Sequence, residues 1–488
     1  MKAKLCLVLA ILAACATLAN SSARAQETSS ETSPGTRPNI VFVLTDDQDE
    51  VSLRHMSNLQ SLLVDGGKTF ENAINVYPLC CPSRAAIQRG QYAHNTGVFG
   101  NGRENGGGWY TFHRNGLHRS TMGTWADDAG YETGYFGKFM NGYDGSGLED
   151  NLLPGYDRQF VTIFGADKAL DQGELVDLPQ KDEDRVVSEK ALGYVREKVP
   201  EETPFFLTAS FFAPHLPASH EDRFAGMFKD QRVPRDPNYN VKPDPNDPKW
   251  VKQRPKLTRE QKREYDEIHR DRLRSLQTVD EFVAKLYETL GEEAENTYVV
   301  YYTDNGFHLG DHRLPAGKLS PYQEDTNFPL FVRGPGVPEG STDFRLVGNH
   351  DIAPTIGDIA GAEVPGFVDG RSIMPVAKAD PLEDVPWRTA ILSERRIVGK
   401  PGGLDGARYI PEWQMVRRQY STYIRTKDYP GTKRYDPDFE YYNLLEDPYQ
   451  LRNRAGTLRP GTFRKLQDRL AALRNCSGEE CRVAENGP

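Results

Sequence analysis

Asn39-Ile40-Val41-Phe42-Val43-Leu44 is a stretch of strand length, unbroken apolar after Asn39, and it ends in Thr45-Asp46-Asp47-Gln48. A strand with one wet face alternates apolar and polar residues. A run that is apolar at every position suits a parallel strand buried on both faces. A second run of this kind, Tyr298-Val299-Val300-Tyr301-Tyr302, ends in Thr303-Asp304-Asn305-Gly306. Between them the chain alternates. Residues 122–129 read as helix before a strand that closes on Gly134-Tyr135-Phe136-Gly137-Lys138, and a helix-period segment at 186–195 precedes an apolar strand at 203–212. Leu273, Leu276, Val279, Phe282, Val283 and Leu286 repeat at three and four, the spacing of one helix face. Strands alternating with helices predict an α/β fold, a mostly parallel sheet sandwiched by helices. Such sheets bind ligands beyond the carboxyl ends of their strands. Asp46, Asp47, Asp304 and Asn305 are therefore expected at one edge, where an all-oxygen pocket would take a hard cation, Ca²⁺ or Mg²⁺. Pair by pair, Asp and Asn after a strand are also ordinary turn residues.

Leu79-Cys80-Cys81-Pro82-Ser83-Arg84-Ala85-Ala86-Ile87 reads as a loop turning into a helix. Pro82 suits a first helical position, which places the two thiols just before a helix N-terminus, where free N–H groups favour anions. Arg84 adds a guanidinium fork suited to a tetrahedral oxyanion. Cys80-Cys81-Pro82-Ser83-Arg84 resembles the sulfatase signature, Cys-x-Pro-Ser-Arg. The resemblance implies that Cys80 is converted by a maturation enzyme to formylglycine, whose hydrate is the nucleophile. It also implies an alkaline-phosphatase-like fold, and it makes Asp46, Asp47, Asp304 and Asn305, with the modified Cys80, the ligands of a metal ion, taken as Ca²⁺ with Mg²⁺ as the alternative.

Other motifs follow in the family's order, from about residue 38 to residue 453. Lys138 matches the lysine of its Gly-Lys-x-His pattern, but the histidine position holds Met140. Gly-Lys-aromatic-x-Asn, with Asn141, is similar to the glucosamine-6-sulfatase and extracellular endosulfatase branch, as is the doubled cysteine. The segment around residues 304–318 is closer to microbial arylsulfatases. His215, in Ala213-Pro214-His215-Leu216-Pro217, matches the acid for the leaving alcohol, and Lys318 the second sulfate-binding lysine. Asn141 cannot take a proton at neutral pH. His308, three residues after Asn305, is the candidate base in place of the missing histidine. Its neighbour His312 could pair with it on metal only in a helix, which Gly306 and Gly310 oppose. The expected activity is hydrolysis of sulfate monoesters on a small molecule or a carbohydrate. A phosphate or phosphonate ester hydrolase is the nearest alternative, and a non-catalytic binding protein that keeps the fold a more distant one.

The 488 residues are 38% hydrophobic with a formal net charge of -10, enough for a large core and poorly suited to a nucleic-acid partner. Residues 1–25 read as a secretory signal, with Lys2 and Lys4, an apolar run too short to span a membrane, and Ala23-Arg24-Ala25 as cleavage site. Leu12-Ala13-Ala14-Cys15 also resembles a lipobox, which would make Cys15 a lipid anchor. Either reading puts the protein outside the cytoplasm, secreted, periplasmic or at the cell surface. Residues 26–36 are a polar tether, 37–385 the catalytic domain and 386–488 a smaller C-terminal subdomain. That last part shows short alternating strands near 420–427 and 439–444, a helix at 462–473, and a Cys476–Cys481 pair that export should oxidise. A bridge between the adjacent Cys80 and Cys81 would be strained. Six prolines among charges at 232–255 predict a long extended excursion, read as a rim of the substrate cleft.

Overall fold

The two apolar runs lie side by side at the centre of a ten-stranded sheet. Thr297–Thr303 runs parallel to Asn39–Thr45, and Thr45 sits opposite Thr303, so Asp46 and Asp304 leave the sheet at one level. Phe205–Ser210, Glu132–Lys138 and Arg158–Ile163 continue the parallel order on the other side of Asn39–Thr45. Antiparallel pairs enter on both sides of this parallel core, while the edge strand Ser341–Asp343 pairs parallel with its neighbour. Leu330–Arg333 pairs with Thr297–Thr303 and then with Lys68–Phe70, beyond which lies Ser341–Asp343. At the far edge stand Lys168–Asp171 and Glu174–Asp177. This computed structural model describes residues 37–398, 410–427 and 437–487. The signal, the lipobox Cys15 and the tether lie outside the described residues.

The central strands are apolar on both faces because both faces are covered. Ile40, Val41, Phe42 and Val43 have no exposed surface, and each contributes roughly 1.5–3 kcal/mol by leaving water. Glu183–Lys198 packs on strands Glu132–Lys138 and Phe205–Ser210 and on the 32-residue helix Arg259–Leu290. Ile352–Ala360 packs against Cys80–Arg89 and Met122–Asp128. The sandwich is the expected α/β arrangement.

A second sheet holds four antiparallel strands in the order Ile391–Arg395, Trp413–Arg418, Ser421–Thr426 and Asp438–Asn443. Pro460–Leu473 lies against it, burying Leu466, Leu470 and Leu473 in one cluster with Val416 and Tyr423. Cys476 and Cys481 form the expected disulfide, while Cys80 and Cys81 are free thiols.

One expectation is corrected. The helix starts at Cys80, not Pro82: Leu79 is the extended N-cap and Cys80–Arg89 is helical. Pro82 still falls in the first turn, where its missing N–H has no intrahelical acceptor to lose. The two thiols are therefore on the helix rather than ahead of it. The 232–255 excursion carries one short helix, Lys249–Lys252, and its middle folds onto the loop that leads to Lys318. There Asn240 N–H donates to the Gly310 carbonyl (2.9 Å) and His312 N–H to the Asn238 carbonyl (2.8 Å).

Candidate active site

Strand ends deliver the site's side chains, and the backbone explains why they meet. Gly137 has φ +110°, and a Cβ there would lie 1.8 Å from the Ser210 carbonyl oxygen. Only glycine lets the two strands approach so closely just before Lys138. Asp46 N–H donates to the Ala213 carbonyl at 3.1 Å. Asp47 adopts a left-handed φ of +65°, which aspartate tolerates better than most residues, and its N–H donates to Asp304 Oδ1 at 3.1 Å. Buried Arg272 of the long helix ties the surrounding loops together. It donates to the carbonyls of Asp47 (2.6 Å) and Pro214 (3.1 Å) and to the Asp49 carboxylate (2.7 Å).

Asp46, Asp47 and Asp304 each bring a carboxylate oxygen to within 4.8 Å of the other two, and all three are buried. Like charges this close repel strongly in a poorly solvated interior. Three cations oppose them. Lys138 bonds Asp46 and Lys318 bonds Asp47. Arg84 Nε donates to Asp304 Oδ2 at 2.7 Å, and its Nη2 reaches Asp46 Oδ2 at 3.4 Å. The same guanidinium donates to the Lys138 carbonyl (2.7 Å) and Ser210 Oγ (2.9 Å), which fixes its plane. Cys80 Sγ sits among them, 2.9 Å from Lys318 Nζ, 3.5 Å from Asp46 Oδ1 and 4.0 Å from Asp47 Oδ1.

The donor set fits a hard divalent cation. Asn305 Nδ2 donates to Asp47 Oδ1 (2.7 Å) and the Gly306 carbonyl (2.8 Å), while its Oδ1 is buried without a hydrogen-bond partner. A buried carbonyl oxygen beside three converging carboxylates is the ligand chemistry of Ca²⁺ or Mg²⁺. Three carboxylates against three fixed cations also leave a surplus of positive charge once a dication is added, which favours an anionic substrate.

The charges set each other's protonation. Burial pushes the Asp46 carboxyl up, but Lys138, His215, Arg84 and Lys318 together hold it far below the carboxylate range. Asp304 moves the other way: burial and the charge of Asp46 raise it to about 6. Burial and Asp46 push the Cys80 thiol well above its ordinary value, and burial raises Cys81 to about 11. Neither thiol is therefore an activated thiolate.

His215 anchors Nδ1 on the Leu216 carbonyl (2.6 Å) and places Nε2 3.7 Å from Asp47 Oδ2. Burial lowers its pKa against the pull of Asp47 and Asp46. His308 Nδ1 lies 2.8 Å from Asp325 Oδ1 and 3.0 Å from Oδ2. It pairs through its backbone with Gly317, next to Lys318. Asn141 belongs to the other thiol, since its N–H donates to Cys81 Sγ at 3.2 Å. Met140 is core, and His312 stacks on Tyr322 at 4.0 Å.

Every residue expected at the site is thus placed at this sheet edge or on the loop beside it. Sequence reasoning missed its supports. Ser210 orients Arg84, Asp325 orients His308, and Asp184 accepts the Phe212 and Ala213 N–H groups, pinning the turn that leads to His215. Ser210 had a usable signal, since it ends an apolar strand just as Thr45 and Thr303 do.

The sheet order and the site at its carboxyl edge define an alkaline-phosphatase-like α/β protein. The sulfatase family model matches residues 38–362, and this chain belongs to the sulfatase family, enzymes that hydrolyse sulfuric esters. It is 31% identical over 484 residues to the N-acetylglucosamine-6-sulfatase of Homo sapiens, covering 92% of this chain and 86% of that protein. It is 34% identical over 379 residues to the putative extracellular sulfatase Sulf-1 homolog of Caenorhabditis elegans, covering 73% of this chain and about half (52%) of that one. In three dimensions it resembles BT4656 in complex with its substrate D-glucosamine-2-N,6-O-disulfate, at TM-score 0.73 and 23% identity over 92% of this chain and 98% of that one. The phosphonate monoester hydrolase of Silicibacter pomeroyi shares the fold as well, at TM-score 0.63 and 19% identity over 88% of this chain and 93% of that one.

Proposed function

We propose that this protein is an exported sulfatase that cleaves sulfate monoesters on carbohydrates, using a formylglycine made from Cys80 and a bound Ca²⁺. The observation that carries this reading is the convergence of three carboxylates and the unpartnered Asn305 Oδ1 on Cys80, inside a ring of Lys138, Lys318 and Arg84. Asp46, Asp47, Asp304, Asn305 and residue 80 would hold the cation, which supplies Lewis-acid polarisation of the sulfate and the nucleophile. Formylglycine, as its hydrate, supplies a hydroxyl nucleophile where the thiol, pushed up by burial, is inert.

The chain's own residues do the rest. Arg84, held in plane by Asp304, the Lys138 carbonyl and Ser210, has Nη2 left to offer a sulfate oxygen, and the Lys138 and Lys318 ammoniums neutralise charge on the other non-bridging oxygens as it grows. His215 holds Nδ1–H on a carbonyl and turns Nε2 into the site, where an anionic ester favours its protonated form and the leaving oxygen can take the proton. His308, with Nδ1–H on the Asp325 carboxylate, keeps Nε2 as its basic nitrogen for the release step. The carbohydrate preference and the extracellular setting draw on the names of the relatives, and the 1–25 leader accords with export.

The competing reading is a phosphate or phosphonate ester hydrolase, since that fold serves both anions. Turnover of 4-nitrophenyl sulfate and 4-nitrophenyl phosphate by the Ca²⁺-loaded enzyme separates the two. The sulfate ester is expected to win in kcat/KM and to lose turnover on chelation. A preference for the phosphate ester would overturn the assignment.

A further inference from the structure

Phe164 is a large apolar side chain at the tip of the hairpin that joins Arg158–Ile163 to Lys168–Asp171, and it is 38% exposed. Its place follows from register. Thr162 lies opposite Lys138 in the parallel pair, so a residue two further on overhangs the carboxyl edge where the site lies. The turn is closed by Ala166 N–H donating to the Ile163 carbonyl at 3.1 Å. Gly165 beside it has φ +73° and open space where a Cβ would stand. The Phe164 ring meets His215 edge-on at 5.6 Å, packs 5.7 Å from Phe212, and has Lys138 Nζ 4.9 Å from its centroid. Lys138 and Phe212 are buried. Phe164 touches both site groups and still faces water.

We infer that Phe164 is the platform on which the ring of the substrate's leaving alcohol, an aryl or pyranose ring, stacks. This rests on the sulfatase reading above. A sulfate held by Lys138, Lys318 and Arg84 presents its ester oxygen to His215, and whatever that oxygen carries next meets the surface beside His215. An aromatic face there binds the C–H face of a sugar or the π face of an arene, and it gives nothing to a bare tetrahedral anion. Phe164 is a specificity-determining residue, outside the anion clamp.

The test measures dissociation constants by calorimetry in the Ca²⁺-loaded Cys80→Ala protein, where turnover is blocked. Probes are N-acetylglucosamine-6-sulfate, 4-nitrophenyl sulfate and inorganic sulfate. Adding Phe164→Ala is expected to weaken both ring-bearing esters roughly three- to tenfold and to leave inorganic sulfate within about twofold, with Phe164→Tyr restoring affinity. Equal losses for all three probes would mean that Phe164 merely screens Lys138, and no loss for any would mean that it does nothing. Either result overturns the platform and leaves the sulfatase reading intact. If the parent protein bound none of the probes, the sulfatase reading would fall and the platform with it.

Discussion

Two buried clusters of charge are built on opposite plans. At the sheet edge, Asp46, Asp47 and Asp304 are drawn together, like beside like. Where the C-terminal helix Glu479–Asn486 docks, a single carboxylate is surrounded by donors. Glu485 accepts from Tyr92 OH (2.5 Å), His350 Nε2 (3.1 Å) and Arg371 Nη2 (2.9 Å), and Arg388 Nε stands 3.3 Å away. Arg388 in turn donates to Asp351 at 2.7 Å, so the signs alternate. A cluster with alternating signs needs nothing added and serves docking. A cluster that brings like charges into contact stores repulsion even with Lys138, Lys318 and Arg84 at its rim; a bound cation would relieve it, and such a cluster suits chemistry. The two should respond oppositely to neutralisation.

The largest effect is expected at the docking cluster. Glu485→Gln leaves buried Arg388 with Asp351 alone and takes the carboxylate partner of partly buried Arg371, and should cost about 3 kcal/mol of stability, read by denaturant unfolding, with kcat per folded molecule unchanged. Acid should do the same to the native protein. Burial would raise the Glu485 carboxyl from its ordinary 4.5, yet Arg388, His350 and Arg371 hold it down to about 2. A depressed folded pKa gives stability that is full above about pH 4.5 and is lost as pH falls toward 2. Protection of the C-terminal helix against hydrogen exchange should fade in that window.

Asp304→Asn should show the reverse pattern. Activity should fall about 10²–10³-fold, while the cation-free protein should melt within about 1 kcal/mol of the parent. The amide oxygen still accepts from Arg84 and a like charge has gone, which offsets the Asp47 N–H bond that the NH2 side cannot accept. A stability loss as large as that of Glu485→Gln would erase the contrast between the clusters. The smallest effect expected is at His308, where His308→Ala should lower turnover roughly 10²-fold and move the pH–rate profile. An unchanged profile would remove His308 as the base.

The sequence made the sheet-edge cluster far more legible than the docking one. Asp46, Asp47, Asp304 and Asn305 each follow a strand whose interior is an unbroken run of apolar and aromatic residues, and a parallel sheet sends such ends to one edge. Cys80 through Arg84 carry their meaning within five residues. Glu485, by contrast, is one acid in an ordinary helical segment, and its partners lie 97, 114, 135 and 393 positions away in the chain. No local pattern encodes that meeting. Asp325 was hidden for the same reason on a shorter scale, 17 residues from the histidine it orients. Phe164 looks like any hairpin residue until the register with Lys138 is known. The Cys80 helix start was misplaced because Pro82 is tolerated anywhere in the first turn, so it marks a helix N-terminus only to within a few residues.

The whole reading of the sheet-edge cluster turns on the chemical state of residue 80. The tryptic peptide 69–84, taken from protein made in its native host, should be weighed and fragmented. A mass lowered by conversion of one thiol side chain to an aldehyde, mapped to Cys80 with Cys81 intact, is the expected result. Two unmodified cysteines in protein that still turns over a sulfate ester would contradict it.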